Sequence, residues 1–274
     1  TNNKPDWSEW KKLLTQAAFS STTTHEAIKI GLVGKYVALH DSYISVIEAV
    51  KHAAFAQQKK FEIVWINAEE VTDENVDLLL QDCDGIIIPG GFGKRATEGK
   101  ICAARWARIH KKPYLGLCLG MQVMCIEFAR FAIDQAATSY EFDSNAQVPV
   151  VTLMDNQKDV TEKGGTMRLG VYPCKLMPGS KAALAYQTNT TIDITESNEI
   201  VYERHRHRFE FNNLYRQQLE KAGLVISGES PDGNLVEIIE LTDHPFMVSC
   251  QFHPEFLSRP QKPHPLFKAF LQSI

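Results

Sequence analysis

A chain of 274 residues with 44% apolar side chains is long enough to bury a substantial core in one large domain, or in one domain with an arm. Its formal net charge of -4 gives no reason to expect nucleic acid, and it has neither an apolar run long enough to cross a bilayer nor a basic-then-apolar leader. Cys83, Cys102, Cys118, Cys125, Cys174 and Cys250 form no C-x-x-C pair, which argues against a disulfide framework or a zinc knuckle and for a reducing, cytoplasmic setting.

The chain opens on Thr1 in a polar segment, as a piece of a longer protein would. Asp6 and Glu9 have capping-box spacing, and Trp7, Trp10, Leu13 and Leu14 follow at helical intervals, predicting a short amphipathic helix. That helix either folds back on its own domain or docks on a part that is missing. The run Ser20-Ser21-Thr22-Thr23-Thr24 reads as a linker, so residues 1–24 are expected to be a connector and 25–274 the main domain. From Ile28 the pattern alternates: strands over 28–33, 61–66, 85–88 and 113–117, with helices over 42–57 and near 76–80 and 101–109. This predicts an α/β domain with an open, mostly parallel sheet and helices on both faces. After Ala136 the rhythm changes to strands and loops, with one helix near 213–222 and another closing the chain.

Three stretches carry chemistry, each at the carboxyl end of a strand, where ligands gather in such folds. The strand through Ile86-Ile87-Ile88 runs into Pro89-Gly90-Gly91-Phe92-Gly93, a glycine loop able to offer a backbone N–H to a substrate carbonyl. It is not a phosphate loop, because Gly93-Lys94 is followed by Arg95 where serine or threonine is needed, and Gly34-Lys35-Tyr36 fails in the same way. In Gly116-Leu117-Cys118-Leu119-Gly120, glycines two residues either side of a cysteine at a strand-to-helix corner repeat the spacing of a nucleophile elbow. The following helix start favours a thiolate, and the Leu119 amide can help hold an oxyanion. The strand over 246–252 delivers His253-Pro254-Glu255, in which the Glu255 carboxylate can orient the imidazole as base for the thiol. Taken singly, each has a plainer reading: a buried structural cysteine, a bare glycine turn, a surface turn. Arg204-His205-Arg206-His207-Arg208 reads either as a strand with alternating exposed arginines or as a place where one arginine clamps a small carboxylate.

Together these strings resemble class I glutamine amidotransferases. Within that family the chain resembles the branch whose glutaminase domain is joined to a synthetase that aminates UTP to CTP, through Gly31 to Tyr36, Asp41-Ser42-Tyr43, Gly164 to Gly170, Glu203 to Arg208 and Phe256 to Pro260. The resemblance implies a flavodoxin-like fold, Cys118 as nucleophile, His253 as base and then acid, Glu255 as its orienter, and the backbone of Gly91 and Leu119 as oxyanion hole. It also implies that Gly90, Gln122, Glu141 and Arg208 hold glutamine, with Glu141 in a Thr-Ser-Tyr-Glu string where the family usually has Asn-Ser-Thr-Glu. Residues 1–24 would be the connector from the missing synthetase domain, and 164–170 a mobile loop linked to activation by GTP. No cofactor or metal is expected in this domain. ATP and Mg2+ would belong to the synthetase domain, the full-length enzyme would be a homo-oligomer (a tetramer), and the chain alone would make glutamate and ammonia but no CTP. Two other readings stay open: a cysteine hydrolase of the same fold acting on γ-glutamyl peptides, and a non-catalytic regulatory module.

Overall fold

The structure, a computed structural model, describes residues 6–22, 26–153, 167–189 and 199–274. The chain runs α1 (Ser8–Thr22), β1 (Ile28–Gly34), α2 (Ile44–Gln57), β2 (Phe61–Asn67), α3 (Val76–Leu80), β3 (Gly85–Ile88), α4 (Thr97–Ile109), β4 (Tyr114–Leu117) and α5 (Leu119–Ala132). It continues through β5 (Ala137–Ser139), β6 (Val148–Leu153), β7 (Arg168–Leu176), α6 (Lys181–Asn189), β8 (Ile200–His207), β9 (Phe209–Phe211), α7 (Arg216–Lys221), β10 (Leu224–Glu229), β11 (Val236–Leu241), β12 (Met247–Cys250) and α8 (Pro265–Gln272).

The main sheet has the order β2-β1-β3-β4-β12-β11-β10-β7-β8. Its first five strands are mutually parallel, and the remaining four pair antiparallel. Short, wholly apolar strands such as Gly-Ile-Ile-Ile of β3 are buried on both faces, as parallel strands must be when helices cover each side. One core joins side chains of α3, α4, α5 and α7 to the sheet, and a second joins those of α2, α6 and α8 on the opposite face. A smaller sheet, β5-β6-β9, lies beside this body. No helix among the described residues is long and apolar enough to cross a membrane.

The elements depart from the sequence expectations in three helices. Helix α4 begins at Thr97, earlier than its apolar pattern suggests. Helix α6 has no counterpart in the sequence pattern. Its N-terminal amides find partners in Ser180 Oγ, which accepts from Ala183 N–H at 3.0 Å, and in the Glu240 carboxylate, which accepts from Lys181 and Ala182 N–H at 3.0 and 3.1 Å. Helix α1 runs on through Thr22, over part of the expected linker, while Thr23 and Thr24 lie outside the described residues, as do Gly164 to Thr166. It packs against α2 and buries Leu13, yet Trp10 and Leu14, and Trp7 just before it, remain 48%, 65% and 57% exposed.

Candidate active site

Strands β3, β4 and β12 are neighbours and parallel, with Ile88 opposite Gly116 and Cys250 opposite Leu117. Their carboxyl ends therefore set the glycine loop, the thiol and the imidazole side by side, although these come from widely separated parts of the chain. Cys118 stands at the corner with φ 51° and ψ -100°, a left-handed conformation that costs a non-glycine residue strain of order 1–3 kcal/mol. The corner is possible because two glycines let backbones meet. A Cβ on Gly120 would lie 2.2 Å from the Ile88 carbonyl oxygen, and one on Gly116 would lie 2.7 Å from the Gly120 backbone. Cys118 is only 2% exposed and sits at the start of α5, where the first N–H groups have no partner within the helix.

His253 Nδ1–H donates to Glu255 Oε1 at 2.8 Å, which leaves Nε2 as the basic nitrogen. Phe256 stacks on the ring at 5.3 Å. A Cβ on Gly90 would be 2.8 Å from His253 Cε1 and 3.6 Å from Cys118 Cβ, so imidazole and thiol meet over that glycine. Burial opposes charge on the imidazole, but the Cys118 sulfur and then the Glu255 carboxylate outweigh it and push the His253 pKa up to about 11. Gly91 packs beside Leu119, with a Cβ there 3.3 Å from Leu119 Cδ2. Behind Gly91 lie two lysines. Lys35 Nζ donates to the Phe92 carbonyl, whereas the fully buried Lys100 Nζ has no partner among the described residues. Burial, and next the charge of Lys35, lower the Lys100 pKa to about 7 against the opposing pull of the Cys118 sulfur.

Glu141, just after β5, reaches the same loop, and Arg208, the one residue between β8 and β9, is near enough to act on its charge. Glu141 Oε1 accepts from Gly93 N–H at 2.6 Å. Burial raises its pKa, opposed by that hydrogen bond, by Lys35 and by Arg208. Arg208 Nε is buried without a hydrogen-bond partner among the described residues. Gln122 is also buried, with its Nε2 turned to the Phe209 carbonyl at 3.0 Å.

Strand β8 alternates as the arginine-histidine string suggests, with Arg204 and Arg206 exposed and His205 and His207 buried. Although β8 is the far edge of the sheet, β7 pairs with β10 over only two residues, and the antiparallel β7–β8 pair reaches back to the site. The Arg204 carbonyl accepts from His253 N–H at 2.7 Å, and the Arg206 carbonyl lies 3.9 Å from Cys118 Sγ. Sequence reasoning missed the buried groups this brings in. Glu203 Oε1 accepts from Tyr186 O–H at 2.6 Å and from His264 Nε2 at 3.0 Å, so residues 203 and 204 pin both ends of the segment that carries His253 and Glu255. Arg168 Nη1 lies 2.6 Å from Glu237 Oε1 and 3.9 Å from Glu210 Oε1, with His205 and His207 in contact at 2.9 Å. Burial, reinforced by Arg168, holds His205 and His207 neutral with pKa values lowered to about 2 and about 3. The period-two alternation of 204–208 was the one available signal, since it turns both histidines inward.

The class I glutamine amidotransferase family model matches residues 38–273. The chain is 54% identical over 268 residues to the CTP synthase of Bacillus velezensis, covering 97% of this chain and 48% of that protein. It is 54% identical over 267 residues to the CTP synthase of Bacillus subtilis, covering 97% and 47%. The chain therefore spans about half the length of the curated relatives it matches. Among solved structures it is similar to the glutaminase domain of Trypanosoma brucei CTPS with bound acivicin, at 37% identity and a TM-score of 0.80, covering 90% of this chain and 93% of that one. A putative GMP synthase protein from Thermoplasma acidophilum, at 16% identity and a TM-score of 0.54, covering 91% and 94%, shares the fold.

Proposed function

The chain belongs to the class I glutamine amidotransferase family, and we propose that it hydrolyses glutamine to glutamate and ammonia on Cys118, as the glutaminase part of a CTP synthase. The observation that carries this reading is the meeting of three chain segments on adjacent strand ends: the Cys118 elbow, the Gly90-Gly91 loop, and His253 held by Glu255 at 2.8 Å.

The Cys118 thiolate attacks the side-chain amide carbon of glutamine, and the electron pair displaced from the carbonyl is held by the N–H groups of Gly91 and Leu119. The proton carried by His253 passes to the departing nitrogen, ammonia leaves, and a glutamyl thioester remains. Neutral His253 then takes a proton from water, which attacks the thioester and releases glutamate and the sulfur. Free glutamine carries an ammonium and a carboxylate, and Glu141 and Arg208 provide the opposite charges, with Gly90 and Gln122 lining the site. The two relatives named CTP synthase are about twice as long as this chain. ATP and Mg2+ belong to the amination of UTP in that other half, residues 1–24 connect to it, and GTP acts as an activator beside Gly164 to Gly170.

An electrophilic glutamine analogue should add a single mass to this protein, mapping to Cys118, and Cys118→Ala should abolish glutamine hydrolysis. An unchanged rate in the purified variant refutes the assignment; turnover of γ-glutamyl peptides in preference to glutamine moves it to the peptide hydrolase.

A further inference from the structure

The Cys118 sulfur meets two polar groups besides the imidazole, and they pull its proton in opposite directions. The Arg206 carbonyl oxygen, 3.9 Å from Sγ, can only accept a hydrogen bond and so favours the protonated thiol. Gln251 Nε2, 3.8 Å from Sγ, donates and so favours the thiolate, the better acceptor. Gln251 has no exposed surface, so any of its amide hydrogen bonds not made within the protein is lost at a cost.

The surrounding bonds decide which end of that amide faces the sulfur. A carbonyl oxygen only accepts, so the Phe209 carbonyl, 3.0 Å from the Gln122 amide, requires its NH2 end there. The second N–H of the same group points to Gln251, 3.4 Å away, and requires the Gln251 oxygen to face it. The Gln251 NH2 is left facing Cys118. The backbone holds this arrangement in place: Gln251 N–H donates to the Glu237 carbonyl and Cys118 N–H to the Cys250 carbonyl, each at 2.8 Å.

We infer that Gln251 is a further catalytic residue, whose side-chain N–H stabilises the Cys118 thiolate, and that Gln122 is a positioning residue holding the Gln251 amide in the required orientation. The inference rests on the glutaminase reading. Gln251 acts twice in that reaction: before attack, when the sulfur carries the charge, and at thioester hydrolysis, when the C–S bond breaks and its electron pair returns to sulfur. It transfers no proton in either step.

Alkylation of Cys118 by neutral iodoacetamide, followed by peptide mapping, reads the thiolate without requiring glutamine to bind. Gln251→Met, similar in length but without a donor, should alkylate about tenfold more slowly at pH 7, the worth of a modest hydrogen bond to charge, with its profile moved to higher pH. Its kcat for glutamine should fall by a similar factor with KM little changed. Gln122→Met should move the alkylation profile in the same direction by less. A Gln251→Met profile that superimposes on that of the unsubstituted protein overturns the inference. If Gln251→Met does not fold, Gln122→Met decides, and an unchanged profile overturns it. A merely structural amide would lower Tm and leave the profile where it is. Profiles that move as expected in a protein with no glutamine turnover in any form would sink the glutaminase reading alone.

Discussion

The two halves of the large sheet are held by different physics. In the parallel half, β3 and β4 are apolar and wholly buried, and the elbow depends on close backbone approach at Gly116 and Gly120. The antiparallel half and the small sheet against it bury Arg168, Glu237 and Glu210 beside the neutral His205 and His207, and these buried charges must balance where water does not screen them. The first region is therefore sensitive to size and the second to charge and pH. The proposed active site lies on the seam, taking Cys118 from one and the backbone carbonyls of Arg204 and Arg206 from the other.

The largest expected effect tests the size-limited side. Gly120→Ala places a methyl group 2.2 Å from the Ile88 carbonyl oxygen, so the elbow must open or the protein must unfold. A loss on the order of 5 kcal/mol, at the exceptional end for one substitution, is expected, with glutamine turnover lost alongside. Chemical denaturation with little change would show that the helix and strand slide apart easily.

Next comes the charge-limited side. Arg168→Met keeps the volume but leaves Glu210 and Glu237 buried with no cation between them, at an expected cost of about 3 to 5 kcal/mol. The loss should be smaller at pH 5 than at pH 8, because the orphaned carboxyls can take up protons. Arg168→Met with Glu237→Gln should recover part of it. A pH-independent loss would mean that the methyl-for-guanidinium packing change, not charge, dominates.

The smallest effect is a pH dependence. Burial, against the pull of Arg168, raises the Glu237 pKa from 4.5 to about 7. Its folded value lies above its unfolded one, so the stability it contributes is present below about pH 4.5 and is lost as pH rises through 7. Glu237→Gln does not titrate, and its stability relative to the unsubstituted protein should climb across that window by up to about 3 kcal/mol. A flat difference between the two in Tm against pH would remove charge as the organising feature of this half.

The same division explains what is legible in the sequence. Cys118, Gly90, Gly91, His253 and Glu255 are all readable, since each sits in a short string whose glycine spacing or strand end marks it locally. Helix α6 leaves no such mark, because one of its N-terminal anchors, the Glu240 carboxylate, comes from a distant strand. The amphipathic pattern of α1 marks a helix, but the pattern does not say which apolar residues find a surface: Leu13 does, and Trp7, Trp10 and Leu14 do not. Lys100 reads as an ordinary helix cation; its burial behind Gly91 follows from where α4 packs.

The residues alone determined the α/β alternation and the strand ends at which the reactive groups sit, since apolar runs and glycine spacing act between neighbours along the chain. Only the folded structure decided that β8 would fold back to place its carbonyls beside Cys118 and His253, and that Gln122 and Gln251 would share one chain of amides. Those contacts join residues about 50 to 130 positions apart, and their energy depends on burial, which no local pattern encodes.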